Sequence, residues 1–187
     1  MEPHTLNQYL VRANTLLMCA RDYAQANHPT QALRLLEEAI PLYRAHTLFI
    51  ATETDQNPRT LAILYNQYGY ALGLKGQLQR GKGEKQHSLD GAIKTLHGSI
   101  ASDPRFVPAL ANLGEVYYLQ GKYAEAQKYL SDAITYAHGM LEESGVKAAA
   151  AKAAKRLKEL RSKNGVPPHK STPSSPDQTN VSLEATL

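Results

Sequence analysis

Residues 107–138 read VPALANLGEVYYLQGKYAEAQKYLSDAITYAH, and the fold turns on them. Leu110, Leu113, Val116 and Tyr117 recur at spacings of three and four, the period that lines up side chains on one face of a helix. Gly121 interrupts the pattern. Tyr123, Ala126, Leu130, Ala133 and Ile134 then resume it, while Glu125, Lys128 and Asp132 fall on the opposite face. Two amphipathic helices joined by a turn at a glycine make a helical hairpin.

The same hairpin recurs upstream. Asn57 and Pro58 have the order of an N-cap and a first-turn proline, and Leu61, Leu64, Tyr65, Tyr68 and Leu72 then form a stripe, with a break expected at Gly76. A partner helix is expected at about Ser88–Ser102, with Ile93, Leu96 and Ile100 inward and Asp103-Pro104 capping the next helix. Tyr68-Gly69 and Leu113-Gly114 stand 45 residues apart, a period of about 34 with some 11 residues to spare. The surplus is assigned to the polar stretch 77–87, read as a mobile insertion. A third copy opens the chain. Thr5 and Gln8 have capping-box spacing, and Leu16, Cys19, Ala20 and Tyr23 are expected to face inward, Cys19 as a small buried hydrophobe. After Asn27-His28-Pro29, the residues Ala32, Leu36, Ala39 and Ile40 answer them.

These residues resemble the tetratricopeptide repeat family, whose unit is a helix–turn–helix with a small residue where the first helix crosses the second. The third copy matches through Leu110, Leu113-Gly114, Tyr117, Gly121, Tyr123, Ala126 and Ala133. The second keeps Tyr65, Tyr68-Gly69, Leu72, Gly76, Ala92 and Pro104; the first keeps Cys19-Ala20, Tyr23, Ala32 and Ala39, with Asn27 where glycine is usual. Residues 39–44 around Pro41 also resemble the longer kinesin-light-chain type of repeat, which implies an extended second helix kinked at that proline. The resemblance implies an all-α fold, a right-handed superhelix of hairpins spanning 1–141, with repeats near 13–46, 62–106 and 107–140 and the insertion at 77–87.

It also implies a concave groove lined by the first helix of each repeat, where the family usually holds peptides. The candidates at matching positions are Leu17, Met18 and Arg21, then Asn66, Gln67 and Tyr70, then Asn112, Glu115 and Tyr118. Asn112 is the foremost, because an amide side chain both donates to and accepts from an extended peptide backbone. With Arg21 the only cation in that set, a chaperone tail ending in a carboxylate is disfavoured and an uncharged or mildly basic segment is expected near Glu115.

Beyond the repeats the composition shifts twice. Residues 142–163 are rich in alanine and lysine, with Val146, Ala150, Ala153, Leu157 and Leu160 on one stripe, and read as a helix capping the stack. Within 145–163, Lys147, Lys152, Lys155, Arg156, Lys158, Arg161 and Lys163 stand against the single acid Glu159, a local charge of +6, whereas the whole chain carries 21 Lys and Arg, 17 Asp and Glu, and a net +4. That helix is either a solvated cap or a site for an anionic partner: an acidic protein, a nucleic acid or an anionic membrane surface. Self-association through the terminal hairpin is a further alternative. Residues 164–187 turn to Pro, Ser, Thr, Asn and Gln and are expected to be disordered.

Catalysis finds no residue set. Gly76-Gln77-Leu78-Gln79-Arg80-Gly81-Lys82-Gly83 has the glycine and lysine spacing of a phosphate-binding loop, but it ends in Gly83 where a hydroxyl must hold magnesium, and a helix precedes it instead of a strand. The seven histidines are scattered and Cys19 has no second cysteine, so neither a metal nor another cofactor is expected. A lone cysteine, no leader pattern and no long apolar window point to a cytoplasmic protein without a membrane span. The expected role is non-enzymatic: an adaptor or assembly factor that holds a protein or peptide partner.

Overall fold

The computed structural model describes residues 3–52, 57–138, 140 and 144–164. Seven helices account for nearly all of them: α1 Pro3–Gln25, α2 Pro29–Thr52, α3 Pro58–Leu78, α4 Lys82–Ser102, α5 Val107–Leu119, α6 Tyr123–Ala137 and α7 Ser144–Asn164. They pair as the hairpins α1/α2, α3/α4 and α5/α6, and each second helix packs on the first helix of the next unit, α2 on α3, α4 on α5 and α6 on α7. The first helices also meet in series, α1 with α3, α3 with α5, and α5 with α7. This is an all-α superhelix of stacked hairpins, in which α7 takes the place of a fourth first helix. Among the described residues no helix is long and apolar enough to cross a membrane.

The turns of the first and third hairpins have one construction. Asn27 has φ 59 and Gly121 φ 77, so each helix ends on a left-handed residue. The His28 amide donates to the Tyr23 carbonyl at 2.8 Å and the Lys122 amide to Tyr117 at 2.9 Å, satisfying carbonyls that the helix end would otherwise strand. Asparagine stands in for glycine because it is the side chain that best tolerates this conformation.

The second hairpin differs from the sequence expectation. Helix α3 does not break at Gly76 but runs on to Leu78, and α4 begins at Lys82, six residues before Ser88. The reason lies in the glycines. A Cβ built on Gly114 would meet Leu130 Cγ at 2.6 Å, and one on Gly69 would meet Leu96 Cγ at the same distance; these are the crossing contacts of their hairpins. One heptad further out, a Cβ on Gly76 would meet Leu89 Cδ2 at 2.7 Å. Gly76 therefore prolongs the close approach instead of ending the helix. From Gly69 to Leu78 is nine residues, against five from Gly114 to Leu119; Lys82 precedes Leu96 by fourteen, and Tyr123 precedes Leu130 by seven. The 11 extra residues are thus four added to α3 and seven to α4, not a loop. Residues 79–81 alone form the turn, and the Ser88 hydroxyl donates to Gln79 Oε1 across it at 2.7 Å.

Three inward assignments are corrected. The buried face of α1 is Ala13, Leu17 and Ala20, spaced four and three. Cys19 lies about 100° around the helix from Ala20 and is exposed, and Tyr23 is exposed as well. Tyr123, in the first turn of α6, is likewise exposed, while Ala126, Leu130 and Ala133 are buried as their spacing implies. Asp103 does not cap α5, whose N-cap is Phe106; its carboxylate instead accepts from the Arg105 amide at 3.1 Å and pairs with Arg59 at 2.5 Å. Asn57 caps α3 by accepting from the Arg59 amide at 2.9 Å, and α2 continues through Pro41 to Thr52. Val146, Ala153, Leu157 and Leu160 of α7 are buried in one cluster with Leu110, Leu130 and Ala133. The tail expected to be disordered lies outside the described residues from 165 onward.

The crossing glycines set a measurable contrast. Gly114→Val and Gly76→Val each force a leucine of the facing helix out of place and should cost about 2 kcal/mol in urea unfolding. Nothing stands within 4 Å of a Cβ on Gly83, so Gly83→Ala should stabilise by about 0.5 kcal/mol. Gly121 also has open space around it, yet its φ of 77 makes Gly121→Ala cost about 1 kcal/mol.

Candidate functional site

The four first helices α1, α3, α5 and α7 bound a concave groove of about 510 Å³. Each offers one face to it, at helical spacing: Arg21 and Gln25 from α1, Tyr70, Leu74 and Gln77 from α3, Glu115 from α5, and Lys152, Lys155, Arg156 and Glu159 from α7. An adjoining recess adds Asn112, Val116 and Leu119. Tyr70 and the leucines supply an apolar floor, and α7 supplies a charged wall.

Polar contacts run across the groove from helix to helix. The Arg156 guanidinium grips the Glu115 carboxylate as a fork, Nε to Oε2 at 2.8 Å and Nη2 to Oε1 at 2.6 Å, and its third nitrogen bonds Glu159. It also lies 4.2 Å over the Tyr118 ring. One turn earlier on α7, Lys152 Nζ donates to Asn112 Oδ1 at 3.3 Å and stands 5.5 Å from the centre of the Tyr70 ring. Asn112 in turn donates through Nδ2 to Asn66 Oδ1 at 3.0 Å. A continuous chain of donors therefore links α7, α5 and α3.

The titration shifts follow from this arrangement. Hydrogen bonding to Glu115 holds the Arg156 pKa above its ordinary value against the cost of desolvation. The Lys152 pKa is pushed down, first by desolvation of its ammonium among the groove walls, with the Glu115 charge opposing. Lys152 as a residue is exposed, and its ammonium stands between the Asn112 amide and the Tyr70 ring. Burial likewise raises the Tyr70 hydroxyl, with Arg21 opposing.

The sequence candidates divide accordingly. Arg21, Tyr70 and Glu115 line the groove, Asn112 lines its recess, Asn66 is bonded to Asn112, and Tyr118 lies under Arg156. Leu17 is not a groove residue: it is buried in the core of the first hairpin. Met18 is exposed and Gln67 half-buried, and neither lines the groove or its recess. The basic residues split in the same way. Lys152, Lys155 and Arg156 face the groove; Lys147 and Lys158 are exposed away from it, Arg161 is half-buried, and the Lys163 side chain lies outside the described residues. Arg21 is thus not the sole cation. Four cations line the groove with two carboxylates, Glu115 and Glu159, and the fork from Arg156 occupies Glu115, the acid near which an uncharged or mildly basic segment is expected. Leu74, Gln77 and Glu159 carry no motif. The signal for Lys152 and Arg156 is their place one residue before Ala153 and Leu157, on the edge of the buried stripe. Among the described residues no group of three or more His, Cys, Asp or Glu side chains is placed to hold a metal.

Two family models, both described as tetratricopeptide repeat, match residues 85–153 and 13–38. No curated protein matches the chain. Similar solved structures include the TPR2B domain of yeast Sti1 in complex with pHsp70, at 20% identity over 78% of this chain and 98% of that one, with a TM-score of 0.41. A thermophilic TPR protein of Thermus thermophilus is 19% identical over 82% and 97%, with a TM-score of 0.42. The Sgt2 TPR domain of Aspergillus fumigatus is 14% identical over 89% and 92%, with a TM-score of 0.40.

Arg156 is a structural as well as a lining residue. Arg156→Ala strands the Glu115 carboxylate, whose side chain is 11% exposed, and should lower stability by about 2 kcal/mol. Combining Arg156→Met with Glu115→Leu should recover most of that loss, because the uncompensated charge is gone; chemical denaturation of the three variants checks it.

Proposed function

Because this chain belongs to the tetratricopeptide repeat family, we propose that it is a protein-interaction module whose concave groove receives a carboxylate-bearing peptide segment of a partner. The observation that carries the reading is the row of polar side chains Asn66, Asn112 and Lys152, continued by Arg156 along α7. The amides bond a peptide backbone, and the Lys152 ammonium, with Lys155 and Arg21 lining the same groove, attracts acidic side chains. Tyr70 and Leu74 form a floor on which an apolar side chain of the same segment rests. The role is recognition and assembly, not catalysis.

This reading also accounts for α7. Its basic residues split between the groove and the outer surface, and Lys152, Lys155 and Arg156 on the groove side support a role in the stack's own binding face. Affinity for an acidic segment falls with added salt, but less steeply than phosphate-backbone binding, since only a few cations engage.

The test is quantitative affinity capture of partners by the whole chain and by Asn112→Ala/Lys152→Ala, whose side chains are not needed for the core. The double variant should retain its helicity and lose at least about tenfold in partner affinity. Undiminished capture of every partner removes the groove from the account.

A further inference from the structure

The opposite side of the stack carries a larger hollow than the groove. Helices α2 and α4 both pack on α3, yet no Cα of one comes within 8 Å of a Cα of the other. The trough between them encloses about 730 Å³, and its floor is α3. Along α2 it extends from Ile40 to Ala51, which is about 16 Å of helix, or three turns.

Its walls are helix faces, not loops. On α2 the lining residues Ile40, Arg44, Thr47 and Ala51 follow one another at spacings of four, three and four; on α4, Gly91, Thr95 and Gly98 do so at four and three. Tyr65, Tyr68 and Leu72 form the floor and are only half-buried, and Leu48 at the rim is 61% exposed. Gly91 and Gly98 adjoin the floor, where a built Cβ would lie 3.5 Å from Leu72 and 3.2 Å from Tyr65, so the α4 wall meets the floor side chains closely. A straight apolar trough one helix wide, between ridges at helical spacing, has the shape of a seat for a helix.

Charge specifies the occupant. Arg44, Lys75 and Lys94 rim the trough, and no Asp or Glu is among the described residues that line it. Arg44 and Lys94 are exposed and form no ion pair among the described residues; Lys75 has only a loose contact with Glu37, at 3.7 Å. We infer that this trough docks an acidic amphipathic helix from a partner protein, its apolar face on Tyr65, Tyr68, Leu72 and Leu48 and its carboxylates opposite Arg44 and Lys94. The site is independent of the concave groove and does not rest on the function proposed for it.

The test uses the full chain and three fluorescein-labelled synthetic peptides. One is a 16-residue helix with leucines on one face and glutamates flanking it, the second has lysine at every glutamate, and the third is residues 165–187 of this chain. Anisotropy should show the glutamate peptide binding at least about tenfold more tightly than the lysine peptide, with amide shifts centred on Leu48 and Thr95. Arg44→Glu/Lys94→Glu should reverse that preference, Leu48→Glu should weaken both peptides about tenfold, and Lys152→Ala in the groove should change neither. Because all three trough side chains are exposed, circular dichroism should be unaltered by their replacement. Four results would each overturn the inference: no binding or no charge preference, amide shifts confined to the groove, affinity lost with Lys152→Ala, or trough shifts produced by the 165–187 peptide. Concentration-dependent sedimentation abolished by Leu48→Glu would equally overturn it, by making a second copy the occupant.

Discussion

The structure depends on the absence of a side chain where the helices of a hairpin cross. At Gly69 and Gly114 a single methyl group would sit 2.6 Å from a leucine of the opposite helix. Removing it lets each leucine lie against backbone, and the two helices approach closely enough to bury a short apolar stripe completely. That economy matters in a protein with no tryptophan and two phenylalanines, whose core is alanine and leucine with few large rings. A helix pair held this closely leaves one face of each first helix uncovered, and stacking those faces produces the concave groove.

The hairpins were legible in the sequence because the crossing glycine, the turn residue and the stripe repeat together. Asn27 could be aligned with Gly121 before any geometry was known, and both adopt the left-handed conformation. The second hairpin was harder. Gly76 has the same local appearance as a helix-ending glycine, and only its seven-residue distance from Gly69, mirrored by Leu89 and Leu96 on α4, marks it as a crossing glycine. A turn and a close contact use the same residue for different reasons, and the distinction is tertiary. Cys19 and Tyr23 were misplaced for a related cause: a helix with both Leu16 and Leu17 admits two stripes, and packing against α2 selects the one through Leu17.

The groove was half legible. Its α3 and α5 positions follow from the register of the repeats, whereas the α7 positions required knowing that the terminal helix continues the series of first helices. Composition makes α7 look like a generic solvated cap, rich in lysine. Its stripe, however, fixes its rotation once Val146, Leu157 and Leu160 are set against α5 and α6, and that rotation carries Lys152 and Arg156 into the groove. Closing the stack and charging the groove are therefore one act. The fork between Arg156 and Glu115 joins the two roles, since it anchors the cap and at the same time neutralises the Glu115 carboxylate within the groove.

Helix α3 shows how far this sharing goes. Its residues 66, 70, 74 and 77 face the groove or bond within it, Gly69 and Gly76 face α4, Gly73 lies against Val116 of α5, and residues 65, 68, 72 and 75 face the trough. A helix with three such faces has little room for a solvent face, which is why its polar residues beyond Arg59 and Thr60 of the first turn are amides, tyrosines and one lysine instead of a charged stripe. The lengthening of the second hairpin follows the same logic. Four more residues on α3 carry the groove wall out to Gln77 and Leu78, and seven more on α4 carry the trough wall down to His87. An insertion in a loop would have extended neither surface. Because it entered as helix, in register with the crossing glycines, it enlarged both.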